Sequence, residues 1–365
     1  MSKEARFLFL ATFLLVSIGV VMVYSSSAVL AHDWHGNAQF FLVRQLIYVL
    51  LGTIGFFIAA ALPLDFYRRF ARAFMLLAIM LLMTVYLPVI GHAAGGARRW
   101  IHLGAFQFQP VEFAKLACCI YLADYLGRKI ARVQKGELLV FVPPLVLIGF
   151  VCGLTLLEPD LGSVAFIVMM TSIVCFVAGI QLRYVVGAVL LFIPALYFLI
   201  IRVPYRLSRL EAYLNPWEDP LGSGFQIIQS FLAFASGGLH GVGLGQSTQK
   251  LFYLPSSHND FILAVIGEET GFIGLMLVIA LYLVFFICCI RIARRTEQPF
   301  EKLMATSLTL LIILQTVIHM MVATGLVPTK GLPLPFISYG GSSVVIDLAA
   351  VGILMAVDRR KHRSS

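Results

Sequence analysis

The most pointed chemical feature of this sequence is an acid at the edge of an apolar run. Asp260 follows Pro255-Ser256-Ser257-His258-Asn259 and opens the run Phe261-Ile262-Leu263-Ala264-Val265-Ile266. A carboxylate there stands at a water–lipid boundary and at a helix start. It suits a general base, given a substrate hydroxyl within hydrogen-bond reach. It suits an N-cap equally well, since Asp favours that position; the residues alone leave both readings open. Glu268 falls on roughly the same helical face, with Glu269 beside it. Glu112 and Lys115 share a face of a helix and can pair; alternatively Lys115, with Arg98 and Arg99 before it, holds an anionic head group. Glu158-Pro159-Asp160-Leu161-Gly162 puts two acids in a tight turn, either solvated or part of a site. Asp347 and His319 lie within apolar runs, where satisfied interhelical hydrogen bonds are expected. Ionisable groups inside or beside such runs are costly and are functional candidates by default.

The elements that must position these residues are membrane spans. Of 365 residues 60% are hydrophobic and 12% charged, against about 25% charged in soluble domains. The apolar residues come in blocks long enough to cross a hydrocarbon core of about 30 Å. The clear blocks are 7–30, 40–62, 73–90, 138–157, 164–180, 184–201, 271–290, 303–326 and 336–357, with a shorter one, 113–126, interrupted by Lys115. In lipid each must be a helix, because its backbone finds no water. The alternation of a β-barrel is absent. The expectation is an all-α integral membrane protein, a single polytopic domain over residues 1–365, with about ten transmembrane helices.

Lysine and arginine set its orientation. If both termini are cytoplasmic, the cytoplasmic pieces hold 18 of the 27 basic residues. The net charge of +9 then reflects topology and attraction to anionic lipid head groups, not nucleic-acid binding. Ser25-Ser26-Ser27-Ala28 resembles a cleavage site, but the preceding run is too long for a signal peptide, so the first span reads as retained. The six cysteines all fall in apolar blocks without a CxxC pair, which argues against a disulfide framework or zinc site.

The external segments are 31–39, the Gly-rich 91–110, 158–163, 202–260 and the Pro/Gly-rich 327–335. The fourth, between spans seven and eight, is the large external loop. Within it, residues 225–235 read as a short re-entrant or interface-lying helix, capped by Ser223 and ended by Gly237-Gly238. Loops of that length tend to be functional. Gly241-Val242-Gly243-Leu244-Gly245 lacks the GK[ST] ending of a nucleotide loop and follows no strand. Cations near apolar surface suit a ligand with a phosphate head and a lipid tail.

Longer motifs sharpen the reading. Gly95-Gly96-Ala97-Arg98-Arg99-Trp100, Gln109-Pro110-Val111-Glu112-Phe113-Ala114-Lys115, Glu158-Pro159-Asp160-Leu161-Gly162, Asn215-Pro216-Trp217-Glu218-Asp219-Pro220, His258-Asn259-Asp260-Phe261 and the run from Lys330 to Ser343 follow one another in order. By these the chain resembles the SEDS family (shape, elongation, division and sporulation proteins) over nearly its whole length. The Asn-Pro-Trp-Glu-Asp-Pro stretch and the Lys330 run look more like the division branch than the elongation branch. Two positions depart from the family's pattern: Ser256 where many members carry Glu, and Asn259 where they carry Thr. The resemblance implies a peptidoglycan glycosyltransferase that polymerises lipid II outside the cytoplasmic membrane, at the division septum. It implies a class B penicillin-binding transpeptidase and other divisome membrane proteins as partners. It makes Asp260 the essential carboxylate. Arg98, Lys115, Glu112 and Lys330 become candidates for the pyrophosphate, and Asp160, His258, Glu268 and Ser338 supporting residues. No cofactor is certain, and the chemistry leaves room for a divalent cation (Mg or Mn). The competing readings are a lipid II flippase and a non-catalytic scaffold.

Overall fold

The computed structural model describes residues 1–87, 91–94, 97–103, 106–250, 254 and 257–364. Twelve helices dominate the described residues: α1 (Lys3–His35), α2 (Phe40–Ala61), α3 (Leu64–Thr84), α4 (Pro110–Gln134), α5 (Val142–Leu157), α6 (Leu161–Ala178), α7 (Leu182–Ile201), α8 (Pro204–Leu214), α9 (Phe225–Gly237), α10 (Ile262–Arg295), α11 (Pro299–Ala323) and α12 (Gly341–Ser364). Seven of them, α1, α2, α5 with the turn before it, α6, α10, α11 and α12, are long and apolar enough to cross a membrane. Phe57, Leu76, Met80, Leu139, Val146 and Ile273 are exposed on the outside. Such an apolar surface would aggregate in water and is natural against lipid.

Charge explains where the sequence reading fell short. The block expected at 113–126 is the middle of α4, which runs from Pro110, a residue suited to a first helical turn, to Gln134. α4 is buried by α3, α6 and α11, so Glu112, Lys115 and Asp124 face protein rather than lipid. The Gly-rich segment between α3 and α4 is a small antiparallel sheet: β1 (Gly91–Ala94), β2 (Ala97–Leu103) and β3 (Phe106–Phe108), in the order β1-β2-β3. Its register sets Ile101 opposite Phe108 and His102 opposite Gln107.

Both termini lie on one face. Ser2 Oγ donates to Asp358 Oδ1, and Glu4 at the start of α1 pairs with Arg295 at the end of α10. Arg360 near the end of α12 bridges Asp65 at the start of α3 and Glu301 at the start of α11. The start of α10, and Asp260 just before it, is therefore on the opposite face.

α10 is broken. Gly271 has φ 68 and ψ −166, a backbone that strongly favours glycine. The segment 238–243 lies alongside the break and satisfies it. Val242 N and Gly243 N donate to the Glu268 and Glu269 carbonyls, while Phe272 N and Ile273 N donate to the Gly238 and Leu239 carbonyls. The Gly-Val-Gly-Leu-Gly stretch is thus a strap across a discontinuous helix, with Gly241 at φ 78 against Gly271. One capping expectation for α9 changes. α9 begins after Gly224 without a side-chain cap, and Ser223 instead donates its N–H to Asp219 Oδ2 at 2.8 Å. Gly238 ends α9 as expected.

Candidate functional site

Asp260 is not the helix cap. The cap position of α10 is Phe261, and no side chain bonds the first helical N–H groups. That frees the carboxylate. It is partly buried and backed by Gly331, where an added Cβ would stand 3.7 Å from Asp260 Oδ2. Burial raises its pKa to about 6, and the positive charge of Arg209 on α8 restrains the rise. A carboxylate with a pKa near the working pH is suited to accept a proton.

The backbone on either side is pinned. Ser338 Oγ donates to the Asn259 carbonyl at 2.7 Å and accepts from Leu334 N at 2.8 Å. Tyr339 N donates to the His258 carbonyl at 2.9 Å. The His258 ring lies 4.8 Å from Phe41 and 5.7 Å from Tyr339, its Nδ1 has no partner, and burial lowers its pKa to about 4. His258 is therefore neutral at physiological pH and packs rather than carrying charge.

Residues 329–331 form the other wall. Lys330 lies over Gly162 and faces Asp160, and burial lowers its pKa while Asp160 opposes the fall. Asp160 is held as the N-cap of α6: Oδ1 accepts from Ser163 N at 3.0 Å and Oδ2 from Ser163 Oγ at 2.7 Å. Arg99 on β2 clasps the same turn, donating to the Glu158 carbonyl at 2.9 Å and the Pro159 carbonyl at 2.6 Å. The Glu158 side chain is buried with neither carboxylate oxygen bonded. Its pKa is raised to about 8 by burial and by Asp160, with Arg99 opposing.

The remaining candidates lie elsewhere. Lys115 is fully buried, donates to Glu112 Oε1 at 2.8 Å, and stands 5.0 Å over the Phe166 ring. Its second partner is Gln315 at 3.4 Å, and Gln315 Nε2 donates to the Pro333 carbonyl at 2.9 Å. His319 Nδ1 meets the Leu332 carbonyl at 2.9 Å. The Lys115–Glu112 pair therefore reaches Asp260 only indirectly, through the anchor of the segment that follows Gly331. Asp347 accepts from Ser343 on its own helix. Glu268 is turned to the loop, accepting from Ser247 Oγ, Thr248 N and Thr248 Oγ1. Glu269 takes Lys250 at 2.9 Å and Ser25 at 2.6 Å. These two acids fasten the loop to α10 and α1. Gly95, Gly96, Ser256 and the Arg98 side chain lie outside the described residues.

Sequence reasoning did not single out Arg209. Its helix is short and basic, and only the fold brings it to Asp260. No group of three or more His, Cys, Asp or Glu among the described residues could hold a metal ion. A divalent cation therefore has no preformed ligand cluster there.

A bundle of long apolar helices, with a half-buried acid at the mouth of a broken helix, defines a multi-pass membrane protein. The family described as "Cell cycle protein", that of FtsW, RodA and SpoVE, matches residues 5–363, and the chain belongs to it. It is 44% identical to the probable peptidoglycan glycosyltransferase FtsW of Geobacter metallireducens, covering 95% of this chain and 92% of that one. It is 41% identical to the stage V sporulation protein E of Bacillus subtilis, covering 96% of each. Among solved structures it is similar to a chain of a peptidoglycan synthase complex that coordinates polymerization and crosslinking. That match has TM-score 0.81, 29% identity and 98% coverage of both chains. The rod shape determining protein RodA of Thermus thermophilus matches with TM-score 0.71, 25% identity, and 97% and 96% coverage.

Proposed function

We propose that the chain is a peptidoglycan glycosyltransferase that polymerises lipid II at the outer face of the bacterial cytoplasmic membrane during division. The observation that carries this reading is the Asp260 carboxylate: uncapped, half-buried, with a pKa near 6, on the face opposite both termini. The names of the FtsW relatives support the reaction, and the synthase-complex match supports a penicillin-binding transpeptidase as partner. With α3, α4 and α7 added to the seven apolar helices the chain would have ten spans, which keeps both termini on one side; the bias of Lys and Arg supports that side being the cytoplasm.

In the reaction, the acceptor lipid II presents its GlcNAc 4-hydroxyl to Asp260. Asp260 takes the proton as the oxygen bonds to the anomeric carbon of the growing chain. The bond from that carbon to the pyrophosphate oxygen breaks, and undecaprenyl pyrophosphate leaves. Lys330 meets part of the leaving charge; Arg98 on β2 is a second candidate. Lys115 and Glu112 hold the 332–333 segment through Gln315. Ser338, His258 and Asp160 fix the walls, and α9 borders the lipid entry.

The buried charges of Lys115, Glu112 and Asp347 are what a flippase reading would rest on. The discriminating experiment gives the purified chain lipid II in detergent, alone and with its transpeptidase. Glycan strands are the expected product. Transport across vesicles without strand formation would favour the flippase, and neither activity a scaffold.

A further inference from the structure

Arg209 is positioned for a task that the base and Lys330 do not fulfil. It sits on α8, its guanidinium 4.5 Å over the Tyr205 ring, with Nη1 donating to the Thr329 carbonyl at 3.1 Å. Among the described residues no carboxylate lies within 4.0 Å of it. Among other cations of this face, Arg99 is committed to two carbonyls, Lys250 to Glu269 and Arg206 to the Leu199 carbonyl, while Lys330 stands beside Asp160. α8 is tied to the segment behind Asp260 by that bond and by one from Tyr213 to the Leu326 carbonyl at 3.1 Å. Both bonds are to neutral carbonyls, which a charged acceptor outcompetes. Guanidinium–phosphate pairs are roughly twice as strong as neutral hydrogen bonds and are commonly bidentate.

We propose that Arg209 changes partner during the cycle: in the empty site it donates to the Thr329 carbonyl, and on donor binding it turns to the pyrophosphate of the polyprenyl-linked glycan. This rests on the glycosyltransferase reading above. The exchange releases the Thr329 carbonyl and leaves Asp260 without its neighbouring positive charge. The carboxylate then gains proton affinity when the acceptor hydroxyl needs a base. The other titratable groups near Asp260 are His258, neutral on its own segment, and Lys330 with Asp160 across residues 329–331. The step moves a charge contact only, so the proton still passes from acceptor hydroxyl to Asp260 and the electron pair to the leaving pyrophosphate.

The test uses the purified full chain and Arg209→Gln and Arg209→Lys, with two readouts. One is binding of undecaprenyl pyrophosphate; the other is kcat/KM on lipid II from pH 5 to 8. Arg209→Gln should weaken the probe at least tenfold and move the acidic limb of kcat/KM to higher pH, because Arg209 holds the Asp260 pKa down. Arg209→Lys should recover part of both. Unchanged probe binding, or an unmoved limb, overturns the assignment. If Arg209→Gln does not fold, the wild type decides: inorganic pyrophosphate should bind more tightly as pH falls through 6, and pH-independent binding refutes the exchange. Wild-type protein that neither polymerises lipid II nor binds the probe removes the glycosyltransferase reading itself. An active wild type matched by Arg209→Gln removes only the role of Arg209.

Discussion

Replacing Glu158 by glutamine should stabilise the protein at neutral pH, because the wild-type carboxyl is buried without a single hydrogen bond. Burial raises its pKa from the ordinary 4.5 to about 8. The sign follows directly. Below pH 4.5 folded and unfolded chains both hold the proton and the site costs little. Between 4.5 and 8 the unfolded chain releases a proton that the folded chain keeps. Stability then falls by about 1.4 kcal/mol per pH unit, or roughly 3 kcal/mol by pH 7. Glutamine keeps the shape without the ionisation, but its unpaired amide gives back about 1 kcal/mol. The net gain is about 2 kcal/mol at pH 7, a few degrees in melting temperature. Thermal unfolding of both proteins in detergent from pH 5 to 8 should give curves that converge at the acid end and separate with rising pH. Parallel curves, or a variant less stable at pH 7, would refute the reasoning and mean that Glu158 is ionised and paired.

Three further outcomes follow from particular contacts. Glu269→Gln leaves Lys250 buried without its anion, and removing one partner of such a pair costs about 3–5 kcal/mol; a melting point within a degree of wild type would show the pair to be solvated. Gly271→Ala puts a side chain on a positive-φ extended backbone that is essentially glycine-only, at about 1–3 kcal/mol, and drives a Cβ to 2.3 Å from Gly241 N; thermal unfolding should show a loss larger than that figure, and an unchanged midpoint would mean the break is not held as described. Polymerisation should fall tenfold per unit below pH 6, since protonated Asp260 cannot accept a proton; a rate flat to pH 5 would exclude a base with that pKa.

The seven long apolar helices were legible because an apolar run in lipid has only one way to satisfy its backbone. α4 read short because Glu112, Lys115 and Asp124 interrupt its apolar run, although each turns into the bundle. The break at Gly271 was invisible inside a hydrophobic block. Its signal was the glycine spacing at 241, 243 and 245, which read as a failed nucleotide loop and is a positive-φ strap. The sheet between α3 and α4 is too short and Gly-rich for alternation to declare it. Asp260 was legible as a helix-start acid, but base and cap share that position. Only the identity of Phe261 as the cap residue separates them. Arg209 comes to the Thr329 carbonyl, in the neighbourhood of Asp260, through tertiary packing alone, so no local pattern marked it.

The central claim rests on one proton acceptor. Asp260→Asn keeps the size of the side chain and removes its basicity. Purified Asp260→Asn, melting like the wild type and given lipid II with its transpeptidase partner, should bind substrate and form no glycan strands. Strand formation at the wild-type rate would contradict the account.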